Sequence, residues 1–325
     1  MKLKNLCVVK LISIPRLLKT LESNLNKHPL CQPPDQVLKK PDLLVGEHAT
    51  DCHAHICGPD SIYPYSPNRI YTPHDALLPQ YIELLKSLGI SRAVLVQPSI
   101  YGNDNRALLN ALQTDPVHFR GVAVVDWDIS ENELEHLHHS GIRGVRCNIV
   151  DLAEEKGMLP ISKLRYLAEK IAPLGWHIEF LMHANEFPHL YEDLKDFPVP
   201  VVLGHLGYLK TELGIEDIGF QNLLALMREE RAWVKLTGPY RISSESQPPY
   251  ADTKIFARAL LEANDRQIVW GSDWPHVMVK GFMPNDADLL DILQSWAPDP
   301  IQRANILSNN PARLYQFIES INKKV

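Results

Sequence analysis

The sequence carries no excess of positive charge: 33 Lys and Arg stand against 39 Asp and Glu, a formal net charge of −6. The basic field that nucleic acid or an anionic membrane surface requires is missing, so neither partner is expected. Any anionic substrate must be held by individual arginines. No run of about 18 apolar residues is present, the length a helix needs to span a bilayer. Cysteine is sparse. Cys7, Cys31, Cys52, Cys57 and Cys147 are odd in number and form no CxxC pair or zinc-finger spacing. With no disulfide framework to read, reduced thiols in a cytoplasm are the simpler expectation. Residues 1–9 begin in the manner of a signal peptide, but Lys10, Arg16 and Lys19 break the apolar stretch and no small-residue cleavage site follows.

What is present suits a globular enzyme. The 325 residues, 45% hydrophobic and 22% charged, can fill one large α/β barrel. Residues 1–47 read as an N-terminal extension, in which Leu11, Ile14, Leu18, Leu21 and Leu25 recur at helical spacing. Pro33, Pro34 and Pro41 then mark a linker that wraps onto the barrel, which occupies 48–325.

From residue 48 onward, short apolar or β-branched runs alternate with helical segments, the mark of parallel strands joined by crossover helices. Strands are expected at 49–55, 91–97, 119–125, 142–149, 177–184, 199–206, 232–238 and 267–273. Helices are expected at about 74–88, 103–114, 130–140, 162–173, 186–196, 219–230, 250–263 and 285–296. Ser130 and Glu133 make a capping box at the start of one of them. Eight such units predict a (β/α)8 TIM barrel, with an open doubly wound sheet as the alternative.

A barrel of this kind gathers its chemistry at the C-terminal ends of its strands. His53 and His55 end the first strand, Arg146 lies in the fourth, His183 and His205 end the fifth and sixth, Arg241 follows the seventh and Asp273 ends the eighth. A lone strand-end histidine is more often structural than catalytic. A set of six such strand ends is not accounted for in that way. In ester hydrolysis a carboxylate can take the proton of the attacking water while imidazoles or a metal ion stabilise the oxyanion. Asp273, just after the apolar run Ile268–Trp270, is the expected base. His28, His48, His74, His118, His136, His138, His139 and His189 read as surface or helix residues, and Arg143 as a pairing group at a strand start.

The motifs DCHAHICGP (51–59), YSPNRIYTP (65–73), GNDNRA (102–107), GIRGVRCN (141–148), LGWH (174–177), GHLG (204–207), WGSDWPH (270–276) and NPARLY (310–315) resemble the amidohydrolase superfamily. Within it they are similar to the branch of 2-pyrone-4,6-dicarboxylate lactonase and related sugar-acid lactonases. The resemblance implies that His53, His55 and His205 polarise a lactone carbonyl, that Asp273 activates water, and that Tyr71, Arg146 and Arg241 hold an anionic substrate. Against the pyrone lactonase pattern, Leu152 stands where a second arginine is expected, Leu181 for a tyrosine and His183 for an acidic residue. These departures imply a lactone with a smaller anionic load, contacted in part by His183. Other members of the superfamily bind one divalent ion through the corresponding positions His53, His55, His183 and Asp273. Such a donor set suits zinc, so the cofactor is either a single metal ion or none. Lactone isomerisation, metal-dependent decarboxylation and non-catalytic binding are the competing readings.

Overall fold

Ala93–Val96 and Val201–Leu203 are continuous apolar runs, as expected of strands covered on both faces. In this computed structural model, which describes residues 28–150 and 157–317, the eight strands pair in parallel and in chain order. They are β1 (Thr50–Ala54), β2 (Arg92–Val96), β3 (Phe119–Ala123), β4 (Ile142–Asn148), β5 (His177–Leu181), β6 (Val201–Leu203), β7 (Ala232–Leu236) and β8 (Ile268–Trp270). The ring closes just beyond β8, where Asp273 N donates to His53 O at 2.8 Å and His55 N donates to Trp274 O at 2.8 Å. The architecture is the (β/α)8 barrel, and the open-sheet alternative is set aside. The amphipathic pattern of residues 11–25 and the position of Leu152 lie outside the described residues.

Helices pack between the strands: α1 (Leu78–Leu88), α2 (Arg106–Thr114), α3 (Glu131–His139), α4 (Ile161–Ile171), α5 (Leu190–Leu194), α6 (Ile218–Arg228), α7 (Lys254–Asn264) and α8 (Asp286–Trp296). The capping box at α3 forms, with Ser130 Oγ accepting from Glu133 N and Glu133 Oε2 accepting from Ser130 N. The expected helix at 186–196 is cut to the five residues of α5. Pro188 disfavours helical backbone at the residue before it and cannot donate within a continuous helix.

Two structural features place the functional residues. First, β1 accommodates one extra residue relative to β2 between Asp51 and Ala54. This bulge breaks the strict two-residue alternation and turns both Cys52 and His53 toward the barrel interior. Second, residues 28–47 lie along the barrel. Cys31 N donates to Thr72 O at 2.8 Å, and Leu43 N donates to Asp291 Oδ1 on α8 at 2.7 Å.

The seam between β1 and β8 is fastened by the fully buried Asp51. Its Oδ1 accepts from Ser272 N at 2.9 Å and His53 N at 3.1 Å, and its Oδ2 accepts from Ser272 Oγ at 2.5 Å and Tyr81 Oη at 2.9 Å. An amide at this position would turn an NH₂ toward two donors. Asp51→Asn is therefore expected to cost about 2–4 kcal/mol of stability, since each buried donor left without an acceptor costs about 1–3 kcal/mol. Urea unfolding measures it; a loss under about 1 kcal/mol would show that the clasp does not hold the seam.

Candidate active site

The chain leaving β8 must turn back sharply to present Asp273 to the barrel mouth. Asp273 adopts a left-handed φ of 70°, as do His205 at 52° and His276 at 59°. Non-glycine residues in this region carry strain that only surrounding contacts sustain, and such strain concentrates at functional sites. Gly271 and Gly238 make the close approach possible. A Cβ on Gly271 would stand 2.7 Å from His53 N, and one on Gly238 would stand 2.8 Å from Asp273 Oδ2.

His53, His55, His205 and Asp273 meet in the mouth. The ring of His53 lies 4.9 Å from that of His55 and 5.4 Å from that of His205. Asp273 Oδ1 is 3.7 Å from His53 Nε2, and Oδ2 is 3.9 Å from His205 Nδ1. The two carboxylate oxygens have different surroundings. Oδ2 accepts from Arg241 Nε and from Tyr240 Oη, each at 2.6 Å. Oδ1 is buried and accepts from no described residue. Burial alone would raise this carboxyl, but the Arg241 guanidinium, which also hydrogen-bonds it, holds it well below the usual carboxylate range.

Burial acts on the imidazoles in the opposite direction. It is the largest influence on His53, His55 and His205, and it lowers all three from the ordinary histidine value. His55 Nδ1 donates to the Val96 carbonyl at 2.8 Å, so its Nε2 presents a lone pair to the mouth. His205 Nδ1 lies 2.9 Å from Thr237 Oγ1.

The other expected residues take several positions. Arg146 is buried, with Nη1 donating to Gln97 O at 3.0 Å. No carboxylate among the described residues forms an ion pair with it, and its charge reaches His55, His205 and Tyr71. Tyr71 is buried nearby. Arg241 is held on Asp273, and its Nη2 donates to Val277 O at 3.1 Å. His183 is half-buried, with Nδ1 donating to Tyr208 O at 2.9 Å and its ring 4.3 Å from the Tyr208 ring.

A metal ion would find three donors here. Ligand atoms of His53, His55 and Asp273 all lie within 4.8 Å of one another, the one such group among the described residues, and His183 is not part of it. His53 Nε2 and Asp273 Oδ1 are both buried without a partner, as candidate ligand atoms should be.

Four neighbouring groups escaped the sequence reading. Lys235 and Glu179, both fully buried in the barrel, form an ion pair at 2.6 Å beneath His53. Tyr240 Oη also lies 2.9 Å from His276 Nδ1, and His276 Nε2 lies 3.1 Å from Asp286 Oδ1. Single charges inside the apolar runs His177–Leu181 and Ala232–Leu236 were the available signal for the first pair, because an isolated interior charge is rare unless partnered.

The chain belongs to the amidohydrolase family: the family model for amidohydrolases matches residues 50–317. The chain is 36% identical over 284 residues to a 2-pyrone-4,6-dicarboxylate hydrolase of Comamonas testosteroni, covering 85% of this chain and 92% of that one. It is 33% identical over 292 residues to a 4-sulfomuconolactone hydrolase of Hydrogenophaga intermedia, covering 88% and 95%. Among solved structures it resembles an Acinetobacter baumannii protein assigned as a 2-pyrone-4,6-dicarboxylic acid hydrolase, with citric acid bound. That match has a TM-score of 0.73 and 28% identity, and it covers 83% of this chain and all of the other.

The charge states carry a pH signature. A carboxylate lowered by Arg241 stays ionised as pH falls, and imidazoles lowered by burial stay neutral below their ordinary value. The logarithm of kcat/KM should therefore stay flat as pH falls through the ordinary histidine value of about 6.5, with its acid limb lying below that value. An acid limb centred between about pH 6 and 7 would show that one of these imidazoles titrates normally.

Proposed function

We propose that the protein is a hydrolase that opens the ester of a small carboxylated lactone, in the catabolism of aromatic or sugar acids. The observation that carries this reading is Asp273 Oδ1: a buried carboxylate oxygen without a partner, set between neutral imidazoles and next to an arginine. The names of the two relatives support the reaction class.

In this reading a water molecule at Oδ1 gives up a proton to Asp273 as its oxygen attacks the lactone carbonyl. The carbonyl oxygen gains the negative charge, which N–H donors of the histidines and arginines stabilise. Collapse breaks the ring C–O bond, and the leaving alkoxide takes the proton back from Asp273. The product is the open hydroxy-acid. A carboxylate held as low as Asp273 is a weak base while Arg241 serves it alone. A substrate carboxylate drawing on the free edge of the Arg241 guanidinium would weaken that hold and restore basicity at the moment of reaction.

Arg146, Tyr71 and His183 complete the substrate contacts. A guanidinium suits carboxylate because it donates two parallel hydrogen bonds. Leu181 and His183, in place of polar and acidic groups, fit a substrate with less charge than a dicarboxylate. The donor group of His53, His55 and Asp273 supports a second reading with one divalent ion, zinc by the kind of ligands. When bound, such an ion would polarise the carbonyl as a Lewis acid. The free thiols Cys31, Cys52, Cys57 and Cys147 are in keeping with a reducing, cytoplasmic setting.

Asp273→Asn should lower kcat by about 10²–10⁴-fold with little change in KM, the scale expected for loss of a general base. Steady-state assays over a panel of carboxylated lactones measure this, and normal turnover would refute the assignment of the base. In ¹⁸O-water the hydroxy-acid should carry label; an unlabelled isomeric lactone would make the enzyme an isomerase instead. Arg146→Met should raise KM about 10–100-fold for a carboxylated lactone and leave an uncharged one unaffected, as for loss of one charge-assisted hydrogen bond.

A further inference from the structure

The two histidines of the first-strand motif differ in what holds their inner nitrogen. His55 Nδ1 faces the Val96 carbonyl, which only accepts, so the proton sits on Nδ1 and the lone pair on Nε2. His53 Nδ1 faces Lys235 Nζ at 3.2 Å. Lys235 is completely buried. Its Nζ donates to Cys52 O at 2.8 Å and pairs with Glu179 Oε2 at 2.6 Å. An ammonium has three protons and no lone pair, and three acceptors surround this one: Cys52 O, Glu179 Oε2 and His53 Nδ1. A proton on Nδ1 would point at a cation.

Glu179 Oε1, 3.3 Å from Nδ1, is a competing acceptor that favours the other tautomer. The far side of the ring weighs against it. Nε2 lies 3.7 Å from Asp273 Oδ1, where an N–H meets a carboxylate and a lone pair would meet negative charge. We propose that Lys235, anchored by Glu179, is a positioning residue that fixes His53 as the Nε2–H tautomer, opposite to His55. The pair then offers the mouth one donor and one acceptor. His53 Nε2–H serves the lactone carbonyl oxygen, and the His55 lone pair orients the attacking water. Two lone pairs, which an ion bound by both rings would need, are not presented together.

The catalytic roles rest on the lactone-hydrolase reading, whereas the tautomer belongs to the enzyme alone, so the two can fail separately. Long-range ¹H–¹⁵N correlation spectra of ¹⁵N-histidine-labelled enzyme at neutral pH, with His53 identified by the signals lost in His53→Gln, report the tautomer directly. The expected result is a pyrrole-type Nε2 and a pyridine-type Nδ1 for His53, with the reverse for His55. A pyrrole-type Nδ1 on His53 would overturn the proposal, and this measurement needs no variant beyond the one used for assignment. The double variant Glu179→Leu with Lys235→Met strands no charge. Replacing a buried ion pair by apolar residues is often neutral for stability, so a folded protein is expected and is checked by circular dichroism. In it the single tautomer should give way to a mixture, and kcat should fall about 10–100-fold with KM little changed, the usual effect of losing a group that orients an active-site histidine. An unaltered tautomer with unaltered kcat would remove Lys235 from any positioning role.

Discussion

The mouth of this barrel depends on one buried carboxylate, Asp51, which accepts four hydrogen bonds, two of them from Ser272 across the seam between the first and last strands. Closing a barrel brings together chain segments far apart in sequence, and here the joined segments are the two that carry His53 and Asp273. Burial pushes Asp51 up to about 6, against the pull of its Ser272, His53 and Tyr81 partners. The same contacts sustain the left-handed backbone of Asp273, three residues past β8 and one past Ser272. A loop free to relax would leave that strained geometry, and the carboxylate would no longer face the imidazoles. Seam, strain and site are therefore one arrangement.

Above the seam, charge alternates along a column through the barrel. Lys235 is paired with Glu179, Glu179 and Lys235 meet His53, His53 faces Asp273, and Asp273 is paired with Arg241. Every ionised side chain of this column has an opposite charge beside it, which is the condition for tolerating charge in a dry interior. The imidazoles between them have lost the positive charge to burial. Below the column, Val94, Val96, Val122, Val202 and Val269 fill the interior with Tyr315 and Phe317. The polar groups thus work in a medium of low dielectric whose dipoles are already oriented, where each hydrogen bond to a developing charge is worth more than in water.

The fold was legible because its signal is repetitive. Several strands announce themselves as apolar runs, such as Ala93–Val96 or Val201–Leu203, and the polar residues at strand ends stand out against them. The misread helix at 186–196 shows the limit of periodicity: its apolar spacing was real, and Pro188 overruled it. The site was legible only in part, for a related reason. His53, His55, His205 and Asp273 end their strands, where a polar residue looks out of place. Glu179 and Lys235 sit inside theirs as single exceptions, each without a visible reason until β5 and β7, with β6 between them, bring the two side chains together in the barrel interior. Asp51, Tyr240 and His276 have no periodic signature. Their roles come from partners 221, 33 and 10 residues away in sequence.

A pair of histidines two residues apart on a barrel strand is easily taken for a metal site, and the argument for that reading is usually the spacing alone. Spacing decides only that both rings reach the same space. What each ring brings to that space depends on its inner nitrogen, because a neutral imidazole has one proton and places it on one side or the other. A backbone carbonyl at the inner nitrogen, as at His55, turns a lone pair outward and makes a ligand or a base. An ammonium at the inner nitrogen, as at His53, turns an N–H outward and makes a donor for an oxyanion. The same two residues can therefore support either metal-assisted or metal-independent ester opening within one fold, with the choice made a layer below the motif by which group the barrel interior places against each ring.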